Sequence, residues 1–266
     1  MIHFGMFFPL MKVLDLQGFL ELSYLPPNNW ENRIRGQLNL YAIWSDGASW
    51  KTNLHSRLEY GETHRVTTNS IDPESLKTGL CLFYPTTEKL SSSLELLPSA
   101  PYWHSNTPDW RATSGLFNEF AQTSYQAELY PLPSEASMMT FHPFIQFSAA
   151  ANFLVVLNVV KEPELRSNEL ELLNSVDLKR YGKTTIWTNS ASVVPLDKYG
   201  FLPHDLPLFL SRTMAGIPFG LGVAKNGSML SLEHTHPPAS LVLFGNRRAM
   251  QSRIKKHWLE RIEKAL

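Results

Sequence analysis

Two histidines, His234 and His236, have the spacing in this chain that is best suited to chemistry. If they lie on a β-strand, both side chains project from the same face, because strand residues two positions apart share a face. A pair of imidazoles on one face can bind a divalent transition metal such as Zn²⁺, Fe²⁺ or Mn²⁺. The alternative is structural, with both rings partly buried and hydrogen-bonded at the end of a core face. The spacing therefore predicts a candidate metal site at His234 and His236.

The stretch from Gly227 to Gly245 resembles half of the first cupin motif, in which a glycine precedes a His-x-His pair and a glutamate follows it. Six residues separate Gly227 from His234, one more than in the motif, and two prolines rather than an acid follow His236. A metal-dependent enzyme, either an oxygenase or a hydrolase, is the catalytic hypothesis for this pair. It requires further ligands from elsewhere in the chain, for which the candidates are His104, Glu128 and His142.

Five aromatic residues form a second candidate site, on one hairpin and beside a long connection: Trp44, Trp50, Tyr102, Trp103 and Trp110. Flat aromatic faces on exposed loops can stack on sugar rings, bases or proline-rich peptides. If the hairpin loop is Asp46-Gly47-Ala48, Trp44 and Trp50 lie directly opposite each other on one face. The alternative is a cross-strand pair that fills the core, because a buried indole removes a large apolar area from water.

The segment 246–266 combines an apolar stripe with positive charge. Asn246 is a good N-cap, and apolar residues recur every four positions along one side of the predicted helix: Met250, Ile254, Trp258, Ile262 and Leu266. Seven basic residues against two acidic ones give the segment a local charge of +5. Arg247 and Arg248 lie in the first turn, where backbone amides and two guanidiniums together suit an acidic or phosphate-bearing ligand.

The apolar stripe of this helix must dock, either on the chain's own β-rich body or on another chain. A protein partner or self-association through the C-terminal helix is therefore expected if the stripe faces outward. The basic face has two alternatives to a ligand site. It is an ordinary solvated surface, or it lies beside the acidic stretch Glu162–Asp177 in the same chain or in a neighbouring subunit.

The stretch from Ile217 to His236 predicts a β-hairpin. Asn226-Gly227 lies between two alternating runs, and Asn-Gly favours a type I′ turn with positive φ at both residues. This turn places Phe219 opposite His234 and Leu221 opposite Leu232. One face of the hairpin is apolar, and the other carries Gly220 and Gly222, which leaves room for close approach.

Strand-length segments separated by turn signals dominate the rest of the chain, and no sustained strand–helix alternation occurs. The uniformly apolar run Phe153–Val160 predicts a central strand, and Glu164–Ser175 predicts a short helix. The expected fold is mostly β, an antiparallel β-sandwich or barrel-like domain with one C-terminal amphipathic α-helix. We expect a β-rich body over residues 1–245, with an alternative internal division near residues 86–109, and a basic helix over residues 246–266.

Composition argues against several classes of function. Equal numbers of basic and acidic residues, 24 of each, give no overall attraction to nucleic acid or to anionic membranes. Cys81 is the one cysteine, and no leader or membrane span is evident, so we expect a cytoplasmic protein. Common phosphate-binding, nucleophile-elbow and dinucleotide motifs are absent from the sequence. A non-enzymatic binding or assembly protein is therefore the leading expectation, with the metal-dependent enzyme as the alternative.

Overall fold

A computed structural model describes residues 7–24, 37–59, 61–98, 110–141, 150–202, 205–234 and 247–265, without the side chains of residues 110, 111, 150, 234 and 247–251. The chain is mostly β with one C-terminal helix, as the sequence predicts. In chain order the elements are β1 (Phe8–Met11), β2 (Gln17–Tyr24), β3 (Leu38–Ser45), β4 (Trp50–Leu58), β5 (Thr63–Thr67), β6 (Leu80–Thr86), β7 (Ser93–Leu94), β8 (Trp110–Phe117), β9 (Gln122–Gln126), β10 (Met138–Phe141), β11 (Ala150–Asn158), β12 (Ser167–Asn174), β13 (Arg180–Trp187), β14 (Ser190–Pro195), β15 (Pro207–Ser211), β16 (Ile217–Ala224), β17 (Leu230–His234) and α1 (Arg247–Ala265).

These strands form four antiparallel sheets. Sheet I has the order β5-β2-β8-β9, and sheet II has the order β1-β6-β3-β4-β7. Sheet III has the order β14-β11-β16-β17, and sheet IV has the order β10-β15-β12-β13. Sheets I and II therefore come from the first half of the chain, whereas sheets III and IV come from the second half. The strand β7 lies inside the stretch 86–109, and the division at that stretch stays a prediction.

Sheet II packs against sheets I and III, sheet III packs against sheet IV, and α1 lies on the outer face of sheet IV. Sheet I also reaches sheet III, where the ring centroids of Tyr125 and Phe219 lie 4.6 Å apart. Each pair of neighbouring layers shares one buried apolar cluster, represented by these residues: Leu20 and Phe83 between sheets I and II, Ile43 and Phe219 between II and III, Val156 and Leu172 between III and IV, and Leu208 and Ile262 between IV and α1. Alternating side chains of one strand can enter two clusters because successive residues point to opposite faces.

The strand β11 is central, as its uniformly apolar sequence predicts. It pairs with β14 on one side and with β16 on the other. Val155 belongs to the cluster shared with sheet II, and its neighbour Val156 belongs to the cluster shared with sheet IV. Burial on both faces explains why this strand has no polar alternation.

The hairpin formed by β16 and β17 has the predicted register, in which Phe219 lies opposite His234 and Leu221 opposite Leu232. The predicted turn type is wrong. Gly227 has a φ of 71°, but the described residues other than glycine have positive φ only at Leu14, Leu178 and Asn189, so Asn226 does not. The amide of Gly227 donates to the Ala224 carbonyl, and the Ala224 amide donates to the Met229 carbonyl. The loop therefore has four residues, centred where a two-residue loop would be, and the register is the same.

The helix predicted over Glu164–Ser175 is wrong, because Ser167–Asn174 forms the strand β12. Leu170 and Leu172 enter the cluster beneath sheet III, whereas Glu169 and Glu171 lie on the opposite face. This is the two-residue period of a strand. No helix of the described residues is long and apolar enough to span a membrane.

Candidate functional site

The helix α1 docks on the chain's own β-rich body. Ile262 is completely buried in a cluster with Leu173, Leu178, Leu208 and Leu210, and Trp258 and Leu259 pack against that cluster. The Trp258 ring also lies 5.1 Å from the Phe141 ring, measured between centroids, in an edge-to-face arrangement. The apolar side of α1 therefore has a partner within the same chain.

The docked side of α1 includes Trp258 and Ile262 of the predicted stripe of every fourth residue, but not Ile254. Ile254 is 50% exposed, although it belongs to the same repeat as the buried Ile262. Successive helical residues turn through about 100°, so a four-residue step drifts by about 40° and two steps drift by about 80°. The docked side instead combines Trp258, Leu259 and Ile262, at steps of one, three and four residues. Met250 and Leu266 lie outside the described side chains.

Lys255 lies on the docked side of α1, one heptad before Ile262. Its Nζ donates to the backbone oxygen of Ser137 at 2.8 Å and to the hydroxyl oxygen of the same residue. Burial lowers the pKa of Lys255 from its usual value of 10.5, because desolvation disfavours the charged ammonium. This lysine therefore anchors α1 to the segment before β10 and is not part of the exposed basic surface.

A buried carboxylate links α1 to sheet IV. Glu171 of β12 is 5% exposed and accepts from Arg180 at 2.7 Å and from Arg212 at 3.3 Å. Arg212 also lies 3.4 Å from Glu263 of α1. Part of the acidic stretch, at Glu171 and Leu173, therefore lies beside the helix, but the Glu171 carboxylate is paired with arginines of the β-rich body rather than with the cations of α1.

The side of α1 opposite Ile262 is exposed and predominantly basic, and we call it the outer face. Its described residues are Arg253, Lys256, His257, Glu260 and Lys264, all exposed. The one acidic member, Glu260, lies 4.0 Å from Lys256, so it screens only part of the positive charge. Arg247 and Arg248 begin the helix, but their side chains lie outside the described ones, and their role in anion binding stays a prediction.

The two hairpin tryptophans lie on opposite faces of sheet II. Ser45 pairs with Trp50 and Trp44 pairs with Lys51, because the loop has four residues rather than the three assumed. Trp50 is 2% exposed, and its Nε1 donates to the Lys161 carbonyl at 2.8 Å. Trp44 is half-buried against the cluster between sheets I and II. Trp50 therefore fills the core, and the expected cross-strand pair does not form.

The other predicted site residues fall largely outside the described part of the chain. Tyr102, Trp103 and His236 lie outside it, as do His104 and His142. Trp110 begins β8 opposite Tyr24, and the backbone of His234 ends β17, but their side chains are not described. The described residues hold no group of three or more His, Cys, Asp and Glu side chains that could bind a metal ion. The metal site at His234 and His236 stays a prediction.

The structure brings together a histidine pair that the sequence did not suggest. A bulge in β4 leaves His55 unpaired between Leu54 and Ser56, and its ring lies 5.5 Å from that of His64 on β5, measured between centroids. The Ser56 hydroxyl lies 3.3 Å from the His64 Nε2. Desolvation, followed by the charge of His64, lowers the pKa of His55. A bulge depends on strand pairing, so no local sequence signal marks this pair.

Comparison with protein-family models, with curated proteins and with solved structures found no match to this chain.

Proposed function

We propose that this protein is a non-enzymatic binding protein whose outer face of α1 docks on an acidic protein partner. The observation that supports the proposal most directly is the division of α1 into two sides. Ile262 is fully buried in the chain's own core, so the apolar side needs no second chain. The opposite side presents Arg253, Lys256 and Lys264 to solvent with one carboxylate among them.

Electrostatic complementarity is the reason for choosing an acidic partner. Exposed cations contribute little to the stability of their own protein, but several on one face attract and orient a partner of opposite charge. The chain as a whole is neutral, so the attraction has to come from a local surface such as this face of the helix. A phosphate-bearing ligand would contact the same cations. Binding measurements with poly-L-glutamate and with inorganic phosphate, described below, distinguish such a ligand from an acidic protein.

The same proposal places the protein in the cytoplasm. Cys81, the one cysteine of the chain, is completely buried between sheets I and II, and burial raises the pKa of its thiol to about 12. A chain that uses no disulfide fits a reducing compartment. An epitope-tagged protein found outside the cytoplasm would overturn this part of the proposal.

Binding to poly-L-glutamate tests the proposal, with inorganic phosphate as the second probe. The variant Arg253→Gln/Lys256→Gln/Lys264→Gln removes three cations of the outer face. Its matched control, Lys12→Gln/Lys198→Gln/Lys225→Gln, removes three exposed cations from other elements. We expect the wild type and the control to bind poly-L-glutamate at an ionic strength of about 0.01 M and to bind more weakly at about 0.15 M, because the screening length falls from about 30 to 8 Å.

The outer-face variant should bind at least about tenfold more weakly than the control at low ionic strength. Equal binding of poly-L-glutamate by the outer-face variant and the control variant would show that the outer face is ordinary solvated surface. If inorganic phosphate binds to the outer face and competes with poly-L-glutamate, the proposed ligand becomes a phosphate-bearing one rather than an acidic protein.

A further inference from the structure

The helix α1 covers only part of the outer face of sheet IV. It packs on Leu173, Leu208 and Leu210, and the buried Glu171 marks the edge of the covered area. Beyond Glu171, the described residues leave the same face of β12 and β13 uncovered. Its side chains are all exposed and comprise Ser167, Glu169, Lys183, Thr185 and Trp187.

Trp187 is the one large apolar residue of this open area. Its side chain is 46% exposed, and it lies directly opposite Ser167 in the register of β12 and β13. The next residue fixes its position, because the Thr188 hydroxyl accepts from the Arg166 amide at 2.7 Å and donates to the Glu164 carbonyl at 2.6 Å. The amide of Trp187 itself donates to Ser192 Oγ at 2.9 Å. The strand therefore fixes the backbone that carries a half-exposed indole beside a polar row.

A shallow groove of about 230 Å³ runs along this polar row. All six residues that line it are polar: Ser167, Asn168, Glu169, Lys183, Thr184 and Thr185. To the open face they supply two hydroxyls, one carboxylate and one ammonium group, from Ser167, Thr185, Glu169 and Lys183, because Asn168 and Thr184 alternate onto the opposite face of their strands. The volume is below the roughly 300–1,000 Å³ of pockets that enclose a drug-sized ligand, so it suits one small polar ring rather than a buried cofactor.

The charges of the groove compensate each other. Lys183 Nζ lies 2.7 Å from Glu169 Oε1, so the two formal charges form an ion pair within the groove. An anion would meet the carboxylate, and a cation would meet the ammonium. Both charged groups can still donate or accept hydrogen bonds to a neutral ligand, and charge-assisted hydrogen bonds are stronger than neutral ones. The groove therefore favours an uncharged ligand with several hydroxyl groups.

We propose that this open area of sheet IV is a binding site for a neutral saccharide. One sugar ring stacks its C–H face on the indole of Trp187, where the negative face of the π-system meets the polarised C–H bonds. Hydroxyls of the adjoining ring bind Ser167, Thr185 and the pair of Glu169 and Lys183. This site uses no residue of the outer face of α1, so it is independent of the acidic partner proposed for that face.

Isothermal titration with neutral oligosaccharides tests this site, using maltohexaose, cellohexaose, mannohexaose and chitohexaose in its N-acetylated form as probes. The wild type should bind at least one of them, with an affinity that is the same at ionic strengths of about 0.01 and 0.15 M, because neither the ligand nor the groove has a net charge. Trp187→Ala should weaken that binding at least about tenfold. Ser167→Ala/Thr185→Ala should also weaken it.

The matched control is Phe120→Ala, which removes an aromatic side chain that is 71% exposed on the hairpin between β8 and β9. This control should leave the affinity unchanged. The urea midpoint of each variant shows that it is folded. The proposal is overturned if the wild type binds none of the four oligosaccharides, or if folded Trp187→Ala binds as tightly as Phe120→Ala.

Discussion

Ile254 and Ile262 belong to one four-residue repeat of α1, but half of Ile254 is exposed whereas Ile262 is completely buried against sheet IV. This difference makes them a matched pair for measuring what the docking of α1 contributes. We expect Ile262→Ala to lower the free energy of unfolding by about 2–4 kcal/mol, because it leaves a cavity among four leucines. Ile254→Ala should change it by less than about 0.5 kcal/mol. Urea denaturation followed by tryptophan fluorescence measures both, and equal effects would contradict the docking described here.

Removing the helix should damage the β-rich body. A chain that ends at residue 246 would expose Leu173, Leu208 and Leu210 to water and would leave Arg212 paired with Glu171 but not with Glu263. We expect this truncated chain to aggregate or unfold, as seen by light scattering and by loss of the near-ultraviolet circular dichroism. A folded, monomeric truncation product with an unchanged urea midpoint would show that α1 does not cover the core of sheet IV.

The turn between β16 and β17 requires a left-handed conformation at one residue. Gly227 has a φ of 71°, and a Cβ at this position would lie 3.3 Å from the Asn118 side-chain nitrogen, which donates to the Gly227 carbonyl. Gly227→Ala should lower the free energy of unfolding by about 1 kcal/mol. Gly227→Asn adds the same Cβ but tolerates positive φ, so it should cost less. The two urea midpoints decide this, and an alanine variant as stable as the wild type would exclude the strain.

The histidine pair makes stability depend on pH. Since the pKa of His55 in the folded protein is lower than its usual value of 6.5, the unfolded chain binds a proton at a higher pH than the folded protein does. The contribution of His55 to the free energy of unfolding is therefore complete above a pH of about 6.5 and decreases as the pH falls below that value. His55→Gln should lose less stability than the wild type between about pH 7.5 and pH 5.5.

The control for this pH effect is His257→Gln, because His257 is exposed on α1. It should lose as much stability between the two pH values as the wild type does. A His55→Gln variant whose pH dependence equals that of the wild type would show that the burial of His55 does not disfavour its protonation.

Local pattern was enough to predict the register of β16 and β17 and the central position of β11. The mistaken turn type did not change the register, because loops of two and of four residues around Asn226-Gly227 give the same pairs. A one-residue difference in the loop before Trp50 did matter, since it moved Trp50 to the opposite face from Trp44.

Features that depend on distant contacts could not be predicted in the same way. Leu170, Leu172 and Leu173 fit a helix and a strand about equally well, and only pairing with β13 and β15 decides for a strand. Lys255 faces the β-rich body because its ammonium group binds Ser137, which is distant in sequence. The area around Trp187 is open because α1 covers the outer face of sheet IV only as far as Glu171. No residue near Trp187 in the sequence indicates where this cover ends.

Charge reversal on the outer face of α1 tests the central claim most directly, because it asks whether that face alone selects the charge of the partner. We would measure binding of Arg253→Glu/Lys256→Glu/Lys264→Glu to poly-L-glutamate and to poly-L-lysine at an ionic strength of about 0.01 M. The docked side of the helix is unchanged, so the free energy of unfolding of this variant should lie within about 1 kcal/mol of that of the wild type. The variant should no longer bind poly-L-glutamate, and it should bind poly-L-lysine. A folded variant that still prefers poly-L-glutamate would contradict the claim that the outer face of α1 is the binding surface.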